Sequence, residues 1–313
     1  MMNPFTSQRM PTMYFFGVTT GQSSSLKLFP TWAEILGLGE AQLLGVDLPI
    51  DASPEQYRQA VGQIKADPLS LGALVTTHKL NVLQAARDYF DELTADARLC
   101  QEVSCIYKRN GRLIGHASDP TTSGQAMQHF IPPDYWGQHG ADILCLGVGG
   151  AAVALVAYFG TRTAKEQRPQ RMILVDRAPE RLDNMANMIR RLPEPGILFE
   201  LVQNSDPALN DGLMAHLPPH SMVINATGMG KDLPGSPVTD SGRFPQNGIV
   251  WELNYRGERR FRQQAQAQAA SRSLHVEDGW TYFLLGWSDV ISHVFDLSID
   301  QPTFQKFAQA AAG

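Results

Sequence analysis

The stretch Ile143 to Ala152, which reads ILCLGVGGAA, decides the fold class of this chain. Its first apolar residues are typical of a buried strand, the glycines of a tight turn, and the alanines of a helix start. A G-x-G-x-x-A pattern in this context binds the pyrophosphate of a dinucleotide, because helix N-terminal N–H groups attract phosphate and a Cβ would block its approach. We therefore predict cofactor contacts at Gly147, Gly149, Gly150 and Ala151.

The sequence after this turn alternates regularly between strands and helices. The candidate strands are 143–146, 172–175, 198–202, 222–225, 249–253 and 274–276. Such alternation predicts a parallel, doubly wound sheet. About 140 residues precede the turn, which is enough for a separate domain. We predict an α/β protein with an N-terminal α/β domain over 1–120, a Rossmann-type domain over 121–279, and C-terminal helices over 280–313 that return to the first domain.

The residues that follow the later strands favour a nicotinamide dinucleotide as the cofactor. Asp176 closes the second of these strands, where a carboxylate bonds the ribose hydroxyls and repels a 2′-phosphate, which favours NAD over NADP. The neighbouring Arg177, with Arg181, could instead hold a 2′-phosphate, so NADP is the less favoured alternative. The remaining predicted cofactor contacts are Asn225, Thr227 and Gly279.

Local signals in the first half predict its elements. Residues 14–18 are typical of a buried strand, Ser23-Ser24-Ser25 of a polar turn, and 31–38 of a helix. Ser53-Pro54-Glu55-Gln56 is a capping box that begins a helix reaching about Ala66. Asn110-Gly111 lies between apolar runs and predicts a β-hairpin.

Composition excludes several classes of protein. The chain has 313 residues, 43% hydrophobic and 18% charged, with a net charge of -5 and no basic block, so we expect neither disorder nor nucleic-acid binding. Its three cysteines favour a reducing cytoplasm over a disulfide framework. We expect no secretion signal, no membrane span and, because no His/Cys/Asp cluster has metal-ligand spacing, no metal. The sequence leaves a homodimer open.

Four blocks resemble the shikimate dehydrogenase family, including its quinate/shikimate members, and they occur in the family's order. The first is Ser23-Ser24-Ser25 ahead of EILGL, and the second is GALVTTHK over 72–79. The third runs from Glu102 through the hairpin to Gly124, and the fourth is WELNY over 251–255 followed by 279–286. Together they span nearly the whole chain.

The resemblance implies a substrate-binding first domain and an NAD(P)-dependent dehydrogenase acting on a cyclic polyol carboxylate such as shikimate or quinate. Lys79 and Asp119 match the catalytic pair, in which a lysine can act as the base when burial lowers its pKa. The substrate contacts it implies are Ser23, Ser25, Thr76, Ser104, Tyr255 and Gly286. Ser104 and Gly286 replace the family's Asn and Gln, which predicts altered specificity, since bonding groups select among hydroxylated substrates.

Two alternatives remain at this level. The chain could be a regulatory or non-catalytic member that binds a nucleotide without turnover, or a reductase of the same architecture with a different catalytic group. His78 and His116 each lie near a predicted catalytic residue. Whether either contacts substrate is undecided by the sequence.

Overall fold

The computed structural model describes residues 6–162, 164–193, 196–231 and 233–311. The chain divides into two compact units. The first unit contains the residues up to Ser118 together with those from Gly286 onward, and the second unit is Asp119–Leu285. The first unit is therefore discontinuous in sequence, with its last part supplied by the C-terminal helices.

The first unit contains a mixed sheet flanked by helices. Its sheet order is β2-β1-β3-β5-β6-β4, in which β1, β2 and β3 are parallel and β5 is antiparallel to both β3 and β6. Its elements before the second unit are β1 (Thr12–Gly17), α1 (Ser24–Ile35), β2 (Gln42–Asp47), α2 (Pro54–Ala66), β3 (Ser70–Val75), α3 (Lys79–Ala86), β4 (Glu92–Leu93), α4 (Ala95–Cys100), β5 (Cys105–Arg109) and β6 (Arg112–His116).

The second unit is built on a fully parallel sheet. Its elements are α5 (Asp119–Gln128), α6 (Tyr135–His139), β7 (Ile143–Leu146), α7 (Gly150–Thr161), β8 (Arg171–Asp176), α8 (Pro179–Ile189), β9 (Leu198–Gln203), α9 (Pro207–Ala215), β10 (Met222–Asn225), β11 (Ile249–Glu252), α10 (Arg260–Arg272) and β12 (His275–Asp278). From β9 the sheet order is β9-β8-β7-β10-β11-β12. This is the Rossmann order, whose direction reverses between β7 and β10. The predicted doubly wound fold is confirmed.

The chain ends with α11 (Trp280–Phe295) and α12 (Gln301–Ala310). In the first unit, Phe307 of α12 stacks on Trp32 of α1 with ring centroids 4.1 Å apart, and the Trp32 indole donates to the Phe307 carbonyl at 3.1 Å. Trp287 of α11 packs edge-on against Phe15 of β1. The prediction that the C-terminal helices return to the first domain is therefore confirmed.

The N-terminal elements differ from the prediction at one functional position. The capping box at Ser53 begins α2 as predicted. The predicted polar turn at residues 23–25 is wrong, because Ser23 is the N-cap of α1 and the helix extends from Ser24 through Pro30. The helix begins early because the Ser23 hydroxyl satisfies the N–H of Ser25, a bond that a serine offers to a helix start as readily as to a turn.

Among the described residues, no helix is both long enough and apolar enough to cross a membrane.

Candidate active site

The glycine turn lies at the carboxyl end of β7 in the second unit, where the strand order reverses. Gly147 has φ +100, and a Cβ there would lie 2.7 Å from the carbonyl carbon of Ala226. A side chain is therefore excluded by the backbone that follows β10 as well as by conformation. The N–H of Gly147 donates to the Val175 carbonyl at 2.7 Å, which ties the turn to β8.

Gly149 differs from Gly147 in what surrounds it. It is the N-cap of α7 with extended backbone, and a Cβ at this position would meet no atom of the protein within 4 Å. Gly150 and Ala151 are the first residues of α7. The missing side chain thus leaves open space beside the helix N-terminus, which is where a pyrophosphate is bound by backbone N–H groups. The residues present fit a dinucleotide.

Asp176 supports this turn from the end of β8. Its side chain is buried, one carboxylate oxygen accepts the Val148 N–H at 2.8 Å, and the other accepts the Ala178 N–H at 3.0 Å. The Arg181 guanidinium lies 3.5 Å from the first oxygen. The carboxylate therefore fixes the glycine turn, a role that the sequence did not predict. Arg177 and Arg181 are both exposed.

A buried polar network organises the loop after β10. The Asn225 side-chain oxygen accepts from the Thr227 N–H at 3.1 Å and from the Thr227 hydroxyl at 2.7 Å. Its amide nitrogen donates to both oxygens of Glu252, each at 3.0 Å. Asn254 adds its N–H at 3.0 Å and its side-chain amide at 2.7 Å to Glu252. Asn225 and Thr227 therefore fix the conformation of the loop, and the Glu252 carboxyl group lies at the centre of the hydrogen-bond network.

Glu252 was missed as a site residue. Two signals could have indicated it: Glu252 lies in the WELNY block of the family resemblance, and it ends the apolar run of β11. It is fully buried, and burial raises its pKa from 4.5 to about 7, although the Asn254 and Asn225 donors oppose this. A carboxyl group in this environment changes its charge near neutral pH.

We predict that Glu252 makes stability depend on pH. Since the folded protein holds this proton more tightly than the unfolded chain, the proton stabilises the fold most below the unfolded pKa of 4.5, and the contribution is lost as pH rises through about 7. Between pH 5 and pH 8 the free energy of unfolding of the wild type should fall by about 2–3 kcal/mol more than that of Glu252→Gln, because each unit of pKa difference is worth about 1.4 kcal/mol. Urea unfolding at both pH values measures this. Glu258→Gln, at an exposed glutamate, should leave the dependence unchanged, and a Glu252→Gln profile parallel to the wild type would contradict the prediction.

Gly279 follows β12 and has a steric reason to be glycine. A Cβ there would lie 1.9 Å from the Leu253 carbonyl oxygen. Any side chain at this position would push the end of β12 away from β11. The close approach of the Leu253 carbonyl is therefore sufficient to explain why residue 279 is a glycine, whether or not a ligand binds beside it.

Several of the predicted substrate residues lie in the first unit, in segments that follow or precede its strands. Ser23 follows β1 and Thr76 follows the parallel neighbour β3, so both lie at carboxyl ends of adjacent strands. The Ser23 and Ser25 hydroxyl oxygens are 2.6 Å apart and hydrogen-bonded. The Thr76 hydroxyl donates to the Phe16 carbonyl at 3.2 Å. These segments therefore carry several hydroxyl groups.

Lys79 and Ser104 belong to the same unit. Lys79 is half-buried and is the first residue of α3, and its carbonyl accepts the Val103 N–H at 3.2 Å. Ser104 is buried directly before β5, and its carbonyl accepts the Val75 N–H at 2.8 Å. Its hydroxyl accepts the Ser118 N–H at 2.8 Å. The Ser104 side chain therefore fixes the backbone that leads out of the first unit.

The two histidines left undecided by the sequence have protein partners. His78 is buried, with Nδ1 2.9 Å from the Tyr57 hydroxyl and Nε2 2.8 Å from the Leu48 carbonyl. Burial lowers the pKa of His78, so its ring is a neutral part of the core. His116 Nδ1 lies 3.0 Å from the Thr94 hydroxyl. Both nitrogens of His78 are used by the fold, which argues against substrate contact there.

Asp119 begins α5 in the second unit and has an aromatic partner. The Tyr282 hydroxyl donates to one Asp119 carboxylate oxygen at 3.0 Å, which fixes its orientation. In the same unit Tyr255 stacks on Phe283 with centroids 4.3 Å apart. Gly286, in contrast, begins the second segment of the first unit, and a Cβ there would meet no protein atom within 4 Å. It offers open space in place of a hydrogen-bonding side chain.

Curated enzymes are similar to this chain in sequence. The shikimate dehydrogenase (NADP(+)) of Salinibacter ruber is 31% identical over 227 residues, which cover 70% of this chain and 72% of that protein. The shikimate dehydrogenase (NADP(+)) of Symbiobacterium thermophilum is 29% identical over 209 residues, 66% of this chain. The chain spans 65% of the length of this second relative. No protein-family profile matches the chain.

Solved structures share the fold. The crystal structure of shikimate dehydrogenase from Aquifex aeolicus is 18% identical and matches with a TM-score of 0.73, covering 100% of both chains. At this identity the likeness concerns architecture, and it extends over both units.

Proposed function

The chain belongs to the shikimate dehydrogenase family, and we propose that it is a dehydrogenase that uses a nicotinamide dinucleotide to interconvert a secondary alcohol and a ketone on a cyclic polyol carboxylate. The substrate class follows the shikimate and quinate acids of the family resemblance. The proposal is supported by the segments that follow the adjacent parallel strands β1 and β3: the hydrogen-bonded Ser23 and Ser25 come after β1, and Thr76 and Lys79 come after β3.

The paired serines would bind the substrate carboxylate. Each hydroxyl can donate one hydrogen bond, and the 2.6 Å separation of the two oxygens lets both address one carboxylate group. The two hydroxyls are hydrogen-bonded to each other, so binding a carboxylate would exchange one neutral hydrogen bond for charge-assisted ones. The Thr76 hydroxyl, at the end of the adjacent strand, would add a further contact to the substrate.

Lys79 and Asp119 would move the proton. During oxidation Lys79, as a neutral amine, accepts the proton of the substrate hydroxyl while the carbonyl forms, and it returns this proton during reduction. Asp119, the second residue of the catalytic pair in the family pattern, would accept a hydrogen bond from the substrate. Tyr282 holds one Asp119 oxygen at 3.0 Å and so would limit the positions of the carboxylate. The nicotinamide, when bound, supplies or accepts the hydride.

We expect this protein to select different substrates from relatives that have the family's Asn and Gln at the positions of Ser104 and Gly286. The Ser104 hydroxyl is already bonded to the Ser118 N–H, and Gly286 presents no polar group. Two hydrogen bonds to ring hydroxyls are therefore replaced by a shorter side chain and by open space. A site of this kind would accept a substrate with a bulkier or less hydroxylated ring at these positions.

Steady-state kinetics test the proposed activity. The full chain is assayed for nicotinamide reduction with shikimate, quinate and ring analogues that lack one hydroxyl, and with simple acyclic hydroxy acids as controls. We expect turnover with at least one cyclic acid and none with the acyclic ones. Binding of the dinucleotide without turnover of any cyclic acid would overturn the proposal in favour of a non-catalytic family member.

We propose NADP as the preferred cofactor, in place of the NAD that Asp176 suggested. The Asp176 carboxylate is buried and bonded to the Val148 and Ala178 N–H groups, so its charge serves the protein's own backbone. Arg177 and Arg181 stand exposed beside it. Two guanidinium groups in this position suit a 2′-phosphate, and the curated relatives carry NADP(+) in their names.

Replacing Arg177 should separate the two cofactors. In Arg177→Ala we expect KM for NADP+ to rise about tenfold, the equivalent of losing one exposed charge-assisted hydrogen bond of about 1.5 kcal/mol. KM for NAD+ should stay within about twofold, since NAD+ lacks the 2′-phosphate. Arg190→Ala, at an exposed arginine at the end of α8, is the matched control. Equal losses with both cofactors would contradict the contact between Arg177 and the 2′-phosphate, and a wild type that prefers NAD+ would restore the original prediction.

A further inference from the structure

A second cluster of ligand-type side chains lies in the first unit, apart from the residues assigned above. His116 is the last residue of β6, while Asp289 and His293 lie one turn apart on α11. Residues four apart on a helix project from the same face, so α11 presents a carboxylate and an imidazole together. His116 is buried, and the other two are half-buried.

The ligand atoms of this cluster converge on a common point. Asp289 Oδ2 lies 4.0 Å from His116 Nε2 and 3.8 Å from His293 Nε2. One ligand atom from each residue lies within 4.8 Å of the other two. These separations exceed hydrogen-bond length. Ligands bonded at ~2.0–2.1 Å to one tetrahedral ion would lie about 3.3 Å apart, so a small inward movement of the side chains completes the geometry.

Neighbouring residues already fix the orientation of both rings. His116 Nδ1 is bonded to the Thr94 hydroxyl at 3.0 Å, which leaves Nε2 directed towards Asp289. Metal-binding histidines characteristically use the second ring nitrogen for such an outer hydrogen bond. The His293 ring stacks on Tyr107 with centroids 4.9 Å apart. Both imidazoles therefore have protein contacts that orient them.

We propose that His116, Asp289 and His293 form a binding site for a divalent transition-metal ion of the zinc type. Two imidazole nitrogens and one carboxylate oxygen are ligands that suit such ions, and they leave a fourth position for water. An ion here would connect the end of β6 to α11 within the first unit. From the sequence we expected no metal, because no cluster of ligand-type residues has metal-site spacing along the chain. His116 is far in sequence from Asp289 and His293, so spacing could not reveal this cluster.

The experiment uses the full chain, stripped of metal by dialysis against a chelator and titrated with Zn²⁺ by calorimetry. We expect one ion per chain. Loss of a hydrogen-bond partner of a metal ligand lowers metal affinity about 10–100-fold. Loss of a direct ligand should lower Zn²⁺ affinity by more than this, in each of His116→Ala, Asp289→Asn and His293→Ala. His275→Ala is the matched control, because His275 is an exposed histidine 2.8 Å from a carboxylate of Glu277 and should leave affinity unchanged.

A second variant keeps the test informative if a ligand substitution impairs folding. Thr94→Val retains all three ligands and removes the hydrogen bond to His116, together with the α4 N-cap bond that the Thr94 hydroxyl accepts from the Ala97 N–H, so Zn²⁺ affinity should fall about tenfold. Co²⁺ should give visible absorption in the wild type that His293→Ala lacks. A wild type that binds no Zn²⁺, or binds it as weakly as the three ligand variants, would overturn the site. The titrations contain neither nucleotide nor organic acid, so they do not depend on the proposed function.

Discussion

Lys79→Ala should reduce kcat for oxidation of the cyclic acid by about 10²–10⁴-fold, the usual contribution of a positioned acid–base group. The expected loss is large because we assign the proton of the reacting hydroxyl to this residue. Binding of the dinucleotide should change little, since the glycine turn that we assign to it belongs to the second unit. Single-turnover kinetics with calorimetric NADP+ titration measures both quantities.

Lys65→Ala is the matched control for this change. Lys65 lies in the same unit as Lys79 but on the surface, where it forms an ion pair with Asp91 at 3.0 Å. Such exposed pairs contribute little, so kcat and the melting temperature should remain near wild type. A Lys79→Ala variant that keeps the wild-type rate would remove Lys79 from the mechanism, whatever the substrate proves to be.

Gly149→Ala should weaken NADP+ binding by about 10–100-fold without destabilising the protein. The added methyl group would meet no protein atom within 4 Å, so the fold has room for it. The same space is the predicted place of the pyrophosphate, and losing a charge-assisted hydrogen bond there costs ~1.5–3 kcal/mol. Calorimetric titration gives the affinity, and scanning calorimetry without nucleotide gives the melting temperature.

Alanine substitutions at two other glycines are the comparison variants for Gly149→Ala. Gly147→Ala should lower stability itself by at least about 1–3 kcal/mol, because φ +100 strains an L-residue and the Cβ would lie 2.7 Å from Ala226. Gly212→Ala, inside α9 with open space around it, should leave NADP+ affinity unchanged and raise the melting temperature slightly, because alanine is favoured over glycine within a helix. If Gly149→Ala bound NADP+ as tightly as Gly212→Ala, the pyrophosphate would not lie at this turn.

Many strands and helices could be predicted from the sequence because the residue patterns that determine them are local. Strands 143–146 and 222–225 and the helix from the Ser53 capping box to Ala66 have the predicted bounds. Apolar runs, caps and glycines act on residues within a few positions of one another. Where two local signals compete, as at Ser23, the prediction failed: the same hydroxyl serves a turn or a helix cap, and here it caps a helix.

The site was less predictable because its chemistry depends on partners that are distant in sequence. The bonds that the Asp176 oxygens accept from the Val148 and Ala178 N–H groups were not predicted, because Val148 lies on another strand's turn 28 residues earlier in the chain. The hydrogen bond from Tyr282 to Asp119 joins residues from opposite ends of the second unit. No spacing rule predicts such a pair.

The sequence by itself determined that this chain has a dinucleotide fold after an N-terminal α/β domain, because turns and periodicity are encoded by neighbouring residues. It also determined the order of the blocks that carry the family resemblance. Only the tertiary structure decided that Glu252 is a buried carboxyl group among amide donors, and that His116 meets Asp289 and His293. The physical reason is that burial and ligand geometry are set by where separate segments pack, and the energies of charged groups depend on that packing more than on residue type.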